Sequence, residues 1–239
     1  VLLYDNRHWG DSDGFPRQHS NPFSQYTDYY DAFNYACTLP EVDKSRIVYW
    51  GSSFSGGNAI YAAAIDRRIK AVIVQCSSVS GQVRAEAFKE RISSLLDERI
   101  LTAEGGADPR IPLIASSREA AVQANEPVMF PDLQAYDELV PMTRLENWQN
   151  NVTAQTQVYM ALSEPQAVIH RISPTPLLMV VPEKDTTVKT SSQLAAFEKA
   201  QEPKELVSIK NAGHFDIYSG EAFEENISAQ LRFLGRVLP

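Results

Sequence analysis

Short apolar runs of strand length alternate with helical patterns along most of this chain, and that alternation constrains the fold more than any other feature. Arg46-Ile-Val-Tyr-Trp50, Ile69-Lys-Ala-Val-Ile-Val-Gln75 and Thr175-Pro-Leu-Leu-Met-Val-Val181 read as strands. Val1-Leu-Leu-Tyr4 and the weaker Glu205-Leu-Val-Ser-Ile-Lys210 complete the set. Helical patterns fall at roughly 25–38, 56–66, 190–200 and 221–237. Strands separated by helices pair in parallel, because the crossover returns each strand to the same end of the sheet. The expectation is therefore an α/β chain with a mostly parallel sheet and helices on both faces.

One stretch breaks the rhythm. Residues 82–172 are helical in pattern, carry Pro109, Pro112, Pro127, Pro131 and Pro141 at their joints, and hold no convincing strand. So long an excursion reads as a helical lid or cap. It divides the chain into a first part of the core at 1–81, the insertion at 82–172 and a second part of the core at 173–239.

Composition excludes several functions. With 44% apolar residues in 239, the chain can build a sizeable core. A net charge of −8 without basic clusters argues against nucleic acid and against anionic membrane surfaces as partners. Cys37 and Cys76 have neither metal-ligand nor redox-pair spacing, so both are expected as buried free thiols, and no metal or cofactor is expected. Pro176-Leu-Leu-Met-Val-Val-Pro182 is too short to span a bilayer and nothing resembles a signal peptide, which points to a cytoplasmic protein. Asn151-Val-Thr153 and Asn226-Ile-Ser228 are formal glycosylation sequons, with little meaning in that setting.

The chemistry concentrates behind the run at 46–50. Gly51-Ser52-Ser53-Phe54-Ser55-Gly56-Gly57 joins a strand to a helix, the context of a nucleophile elbow. The tight turn needs small residues two before and two after the nucleophile. Ser53 satisfies this through Gly51 and Ser55, whereas Ser52 would place Trp50 and Phe54 in those slots. The backbone N–H of Phe54, at the helix start, then becomes an oxyanion donor.

A serine needs a base, and the base needs a carboxylate to fix its tautomer. Among four histidines, His214 lies on a Gly-preceded loop after the run at 205–210 and can reach over the sheet edge, while His8, His19 and His170 read as surface or structural. Asp185 follows the run at 175–181 and is preferred to Glu183, which abuts the strand. Asp216, two residues beyond His214, reads as a helix cap. The order Ser53, Asp185, His214 is that of a sheet-borne serine hydrolase.

With these residues placed, the sequence resembles the α/β-hydrolases, and among them the fungal polyketide transferases and thiohydrolase-like members. Val1-Leu-Leu-Tyr-Asp-Asn-Arg7, Trp9-Gly-Asp-Ser-Asp-Gly14, Pro16-Arg-Gln18, Asn21-Pro22, Trp50 to Gly57, Pro174-Thr-Pro-Leu-Leu, Glu183-Lys-Asp185 and Gly213-His-Phe-Asp216 carry the likeness. The resemblance implies that Val1 to Asp5 is the family's fourth strand, with three strands and the loop bearing a second oxyanion N–H preceding Val1. It also implies an ester or thioester substrate, including a carrier-bound polyketide, with hydrolysis or transfer as the outcome. A general carboxylesterase or an Xaa-Pro dipeptidyl-peptidase-like hydrolase stays open, as does a non-catalytic binding protein of this fold.

Overall fold

A computed structural model describes residues 1–106 and 108–238. In chain order the elements are α1 (Pro22–Ala36), β1 (Val48–Ser52), α2 (Phe54–Ala63), β2 (Ala71–Gln75), α3 (Gln82–Phe88), α4 (Ile92–Ala103), β3 (Arg110–Ile111), α5 (Arg118–Gln123), α6 (Leu133–Leu139), β4 (Val152–Thr153), α7 (Gln155–Leu162), β5 (Leu177–Pro182), α8 (Thr190–Lys199), β6 (Lys204–Ile209) and α9 (Gly220–Val237), with short 3-10 turns between. They divide into two compact units: Val1–Tyr4, Phe23–Ser80 and Glu164–Pro239 form one, and Asp5–Pro22 with Gly81–Ser163 the other. Among the described residues, no helix is long and apolar enough to cross a membrane.

The first unit is built on a parallel sheet of order β1-β2-β5-β6, its register fixed by Val48 opposite Ala71, Val72 opposite Leu177 and Leu177 opposite Lys204. Both central strands, β2 and β5, are buried at every position, so they are continuous apolar runs rather than alternating ones. Alternate residues serve opposite faces. Val72, Val74, Leu177, Met179 and Val181 pack with Tyr29 and Phe33 of α1, Ile60 of α2 and Ala196 of α8. Ala71, Ile73, Leu178 and Val180 pack with Ile217 and with Phe233 of α9. Because all four strands run the same way, Ser52, Gln75, Pro182 and Ile209 end them along one rim, and the loops beyond that rim are where a site can be assembled.

Two expectations are corrected. Val1–Tyr4 forms no strand: Val1 and Leu3 are exposed without a ladder partner among the described residues, and Tyr4 instead sets its ring edge-on to Tyr29 at 6.3 Å. An apolar run becomes a strand only where a neighbour offers backbone groups to pair with. Conversely, the second unit contains strands where none was expected, as β3 and β4 pair antiparallel through Arg110 opposite Thr153 and Ile111 opposite Val152. A two-residue ladder is too short to leave an alternating pattern in sequence.

That second unit packs α3 and α4 against α7. Its N-terminal stretch is an ordered loop: Asp5 Oδ2 accepts the Asp11 N–H at 2.9 Å, and Arg17 reaches the carbonyls of Gly10 and Ser12. The loop is stitched on by Thr153 N–H to Gln18 O (3.0 Å) and Ser20 N–H to Thr156 Oγ1 (3.0 Å).

Candidate active site

The turn after β1 forces Ser53 into a backbone conformation that side chains avoid, with φ 53° and ψ −119°. Three contacts hold it there. The Ser53 N–H donates to Gln75 O at 3.0 Å, while Ser53 O accepts from Ser78 N–H at 2.9 Å and Gly56 N–H at 3.1 Å. Such strain persists only where the surroundings over-determine it, and here it lifts the hydroxyl out of the strand line. The small neighbours are obligatory. A Cβ on Gly51 would sit 2.3 Å from Ser55 O, and one on Gly57 would sit 2.3 Å from Ser78 O. Tyr29 closes the turn from below, its hydroxyl 3.0 Å from Trp50 O and 3.2 Å from Ser55 O, so one phenol proton ties the strand end to the first turn of α2.

Phe54 is the first residue of α2, and its N–H has no carbonyl a turn earlier within the helix to bond to. It is therefore available, with the positive end of the helix dipole, to a developing anion beside Ser53.

His214 Nε2 lies 3.0 Å from Ser53 Oγ, and His214 Nδ1 lies 2.9 Å from Asp185 Oδ2. The His214 side chain is 3% exposed and that of Asp185 fully buried. In the neutral tautomer this geometry favours, Nδ1–H donates to the carboxylate and Nε2 accepts the serine O–H. The loops bearing the two residues are knitted together by backbone bonds, Glu183 N–H to Ile209 O at 3.1 Å and Lys184 N–H to Ala212 O at 2.8 Å.

Asp185 is held by more than the histidine. Its Oδ1 accepts the Val188 N–H at 2.8 Å and its Oδ2 accepts from Gln193 Nε2 at 3.0 Å. Thr190 Oγ1 accepts the Asp185 N–H at 3.2 Å and donates to Pro182 O at 2.7 Å, closing the loop. Burial disfavours the charged imidazolium of His214, but the bond to Asp185 and the nearby Cys76 sulfur outweigh it and raise the histidine to about 9.

Ser53, His214 and Asp185 are thus brought together, and the competitors are not. Glu183 is exposed and accepts from Ser208 Oγ at 3.1 Å. Asp216 accepts the Gly213 N–H at 2.6 Å and so fastens the loop in front of His214. His170 is exposed, and His19 bonds Thr153 Oγ1 at 2.7 Å in the second unit, where the His8 ring meets it edge-on. Both cysteines are free, but only Cys76 is buried while Cys37 is half-buried.

The supporting residues Tyr29, Thr190 and Gln193 escape sequence reasoning, since tyrosine and amide side chains in amphipathic helices read as ordinary packing. The one available signal is that Thr190 and Gln193 open the helix immediately after the loop bearing the acid.

The alpha/beta hydrolase family model matches residues 1–225. The chain belongs to that family. It is 31% identical to the thiohydrolase aneE of Aspergillus aculeatus over 100% of this chain and 76% of that protein. Against the polyketide transferase af380 of Aspergillus fumigatus the identity is 29%, covering 100% of this chain and 80% of the relative. Among solved structures, the alpha/beta hydrolase GrgF from Penicillium sp. sh18 superposes with a TM-score of 0.82 at 31% identity, covering 99% of this chain and 79% of GrgF.

Proposed function

We propose that this protein is a serine-dependent acyl hydrolase or acyltransferase acting on an ester or thioester, with Ser53 as nucleophile, His214 as general base and acid, and Asp185 as the residue that orients and charges the pair. The observation that carries the reading is the unbroken line from Asp185 through His214 to Ser53, with links of 2.9 and 3.0 Å, at a serine held in elbow geometry.

In the proposed reaction Ser53 Oγ attacks the acyl carbonyl while its proton passes to His214 Nε2. The tetrahedral oxyanion takes a hydrogen bond from the Phe54 N–H. Collapse expels the thiol or alcohol, which leaves with the proton from Nε2, and the acyl group stays on Ser53. Water or a second alcohol, deprotonated by the now neutral His214, releases the acyl chain and restores the serine. The relatives named thiohydrolase and polyketide transferase support a thioester-borne polyketide acyl chain as donor. The choice between hydrolysis and transfer is set by whether water or a second alcohol reaches the acyl-enzyme. Synthesis of such chains on carrier proteins would place the enzyme in the cytoplasm.

A fluorophosphonate probe tests the reading. The protein should label at one residue, identified by peptide mass as Ser53, and Ser53→Ala should abolish labelling. An unlabelled folded wild type, or labelling that persists in Ser53→Ala, would sink the assignment.

A further inference from the structure

Ser52 and Tyr218 form a second bridge across the gap that the Ser53–His214 bond spans. Ser52 ends β1 and immediately precedes the nucleophile, while Tyr218 closes the 3-10 turn Asp216–Tyr218, four residues past the base. Their hydroxyl oxygens lie 2.5 Å apart, so one O–H donates to the other. Cys76 Sγ flanks the pair, 3.3 Å from Tyr218 Oη and 3.5 Å from Ser52 Oγ. The acyl-transfer steps use neither hydroxyl.

Both ends of the bridge are fastened to α9. On the elbow side, Gln75 is the ladder partner of Ser52 and is 3% exposed. Its Nε2 donates to Ser52 Oγ at 3.1 Å and its backbone O accepts the Ser53 N–H at 3.0 Å, so one residue of β2 grips both elbow serines. Gln75 Oε1 accepts from Asn226 Nδ2 and from Gln230 Nε2, each at 2.8 Å. On the histidine side, Asn226 Nδ2 also donates to Ile217 O at 3.3 Å, next to Tyr218. Partners that cannot reverse dictate how these amides point. The Trp50 indole only donates, which makes Gln230 Oε1 its acceptor at 2.8 Å and turns Gln230 Nε2 toward Gln75. Ile217 O only accepts, which turns Asn226 Nδ2 toward it. With its Oε1 taken by two donors, Gln75 presents its Nε2 to Ser52. Asn226, the asparagine of a formal sequon, is 2% exposed and committed to this network, so it is no glycosylation site in the folded chain.

Such fastening matters most when the catalytic bond is absent. In the free enzyme the Ser53 O–H donates to His214 Nε2 and itself holds the elbow to the histidine loop. Once Ser53 is acylated, its Oγ is an ester oxygen with no proton to give, and that link is lost. Asp185 and the backbone bonds at Glu183 and Lys184 then tether the histidine loop to the acid loop, not to the elbow. The Ser52–Tyr218 bond contains no reacting group and survives acylation. We propose that Ser52 and Tyr218 are positioning residues that keep His214 against the Ser53 ester, where the imidazole must take a proton from the incoming water or alcohol. Tyr218 is 44% exposed, so water replaces part of a lost bond and the effect of removing it is modest.

The inference rests on the acyl-transfer reading, and the test separates the two. Wild type, Tyr218→Phe, Ser52→Ala and the double variant, each shown folded by circular dichroism, are compared as full chains on a p-nitrophenyl ester. Acylation is read from kcat/KM. Deacylation is read from turnover divided by the acyl-enzyme fraction that intact mass shows after acid quench at saturating substrate. Tyr218→Phe should slow deacylation about two- to tenfold, the scale of one hydrogen bond, while acylation stays within about twofold of wild type, so that acyl-enzyme accumulates. A general loosening of the structure would instead lower both steps together. The double variant should deacylate no more slowly than the slower single variant, because both remove the same bond. Equal losses in both steps, unchanged deacylation in folded Tyr218→Phe, or losses that multiply in the double variant overturn the inference and leave the proposed function standing. A wild type that takes no fluorophosphonate at Ser53 overturns the proposed function, and the inference with it.

Discussion

Gln193 donates a side-chain N–H to the same carboxylate oxygen of Asp185 that receives the His214 imidazole, at 3.0 Å. The amide also donates to Val188 O at 2.8 Å, and its residue is fully buried at the start of α8. It thus fixes the rotamer of the acid from a rigid helix rather than from a loop, the way outer-shell partners hold catalytic groups in register. Gln193→Met keeps the bulk and removes both bonds. It should lower kcat by about three- to thirtyfold, the scale of one to two lost hydrogen bonds, and leave KM nearly unchanged. Steady-state kinetics on any chromogenic ester the wild type accepts would check this, and a variant with full kcat would show that the acid needs no support from α8.

Asp185 and Glu183 stand two residues apart on one loop with opposite fates, one buried on His214 and the other exposed on Ser208. Asp185→Asn keeps the shape but can present an N–H where the histidine needs an acceptor, inverting the tautomer, so kcat should fall by about a thousand- to ten-thousandfold. Glu183→Gln should stay within about twofold of wild type, as exposed polar changes do. Paired measurement of the two variants at saturating substrate separates them, and equal losses would contradict the assignment of the acid.

On the proposed mechanism, the elevated His214 gives activity a definite pH dependence. Its bond to Asp185 prevails over the burial penalty and sets it at about 9, and a general base must be neutral to accept the Ser53 proton. The kcat/KM profile of the free enzyme should therefore rise about tenfold per pH unit from neutrality and level off only above about 9. Folding stability runs in the opposite sense. Because the folded value lies above the ordinary 6.5, the contribution of His214 is fully present below about 6.5 and is lost as pH rises through about 9. A pH–rate profile with its acid limb near 6.5 would show that the burial penalty cancels the Asp185 bond.

Much of this site was legible in sequence because its chemistry is tied to strand ends. Ser53 follows β1 directly, and Asp185 and His214 lie three and five residues past β5 and β6. Parallel strands line up those ends whatever the intervening helices do. The register of the elbow was legible for a steric reason, since Gly51 admits no Cβ beside Ser55 O. The supporting layer was not legible. Tyr29 and Gln193 reach the site from α1 and α8, and nothing local distinguishes them from other polar residues on amphipathic faces. Val1–Tyr4 misled for a related reason: β propensity describes a segment's fitness for a sheet, and pairing depends on a neighbour the segment does not contain.

Asp66, just past α2, is a buried carboxylate that tests how the sheet is fastened to its helices. Asp66 has a side chain 3% exposed and receives the Tyr49 phenol at 2.6 Å and Arg68 through Nε at 2.8 Å and Nη2 at 2.7 Å, while the same guanidinium stacks 4.0 Å over Phe33. Burial alone would raise this carboxyl, yet the Arg68 and Tyr49 bonds hold it below its ordinary value. Its stabilising contribution is therefore present above about pH 4, the ordinary carboxylate range, and is lost as pH falls through the depressed folded value. Asp66→Ala leaves the Tyr49 hydroxyl on β1 with only its 3.3 Å bond to Tyr29 O, and leaves Arg68, 45% exposed and still bonded to Asn34 Oδ1, to recover part of its solvation. The cost should be about 2 kcal/mol, a lost charge-assisted hydrogen bond from the Tyr49 phenol plus part of a charge pair, with Ser53 labelling retained at temperatures where the variant stays folded. Urea unfolding of wild type and variant at pH 7 and pH 3 measures both claims. The stability gap should narrow at the lower pH, and a gap of equal size at both would mean that the ionised carboxylate is not what joins Tyr49 to Arg68.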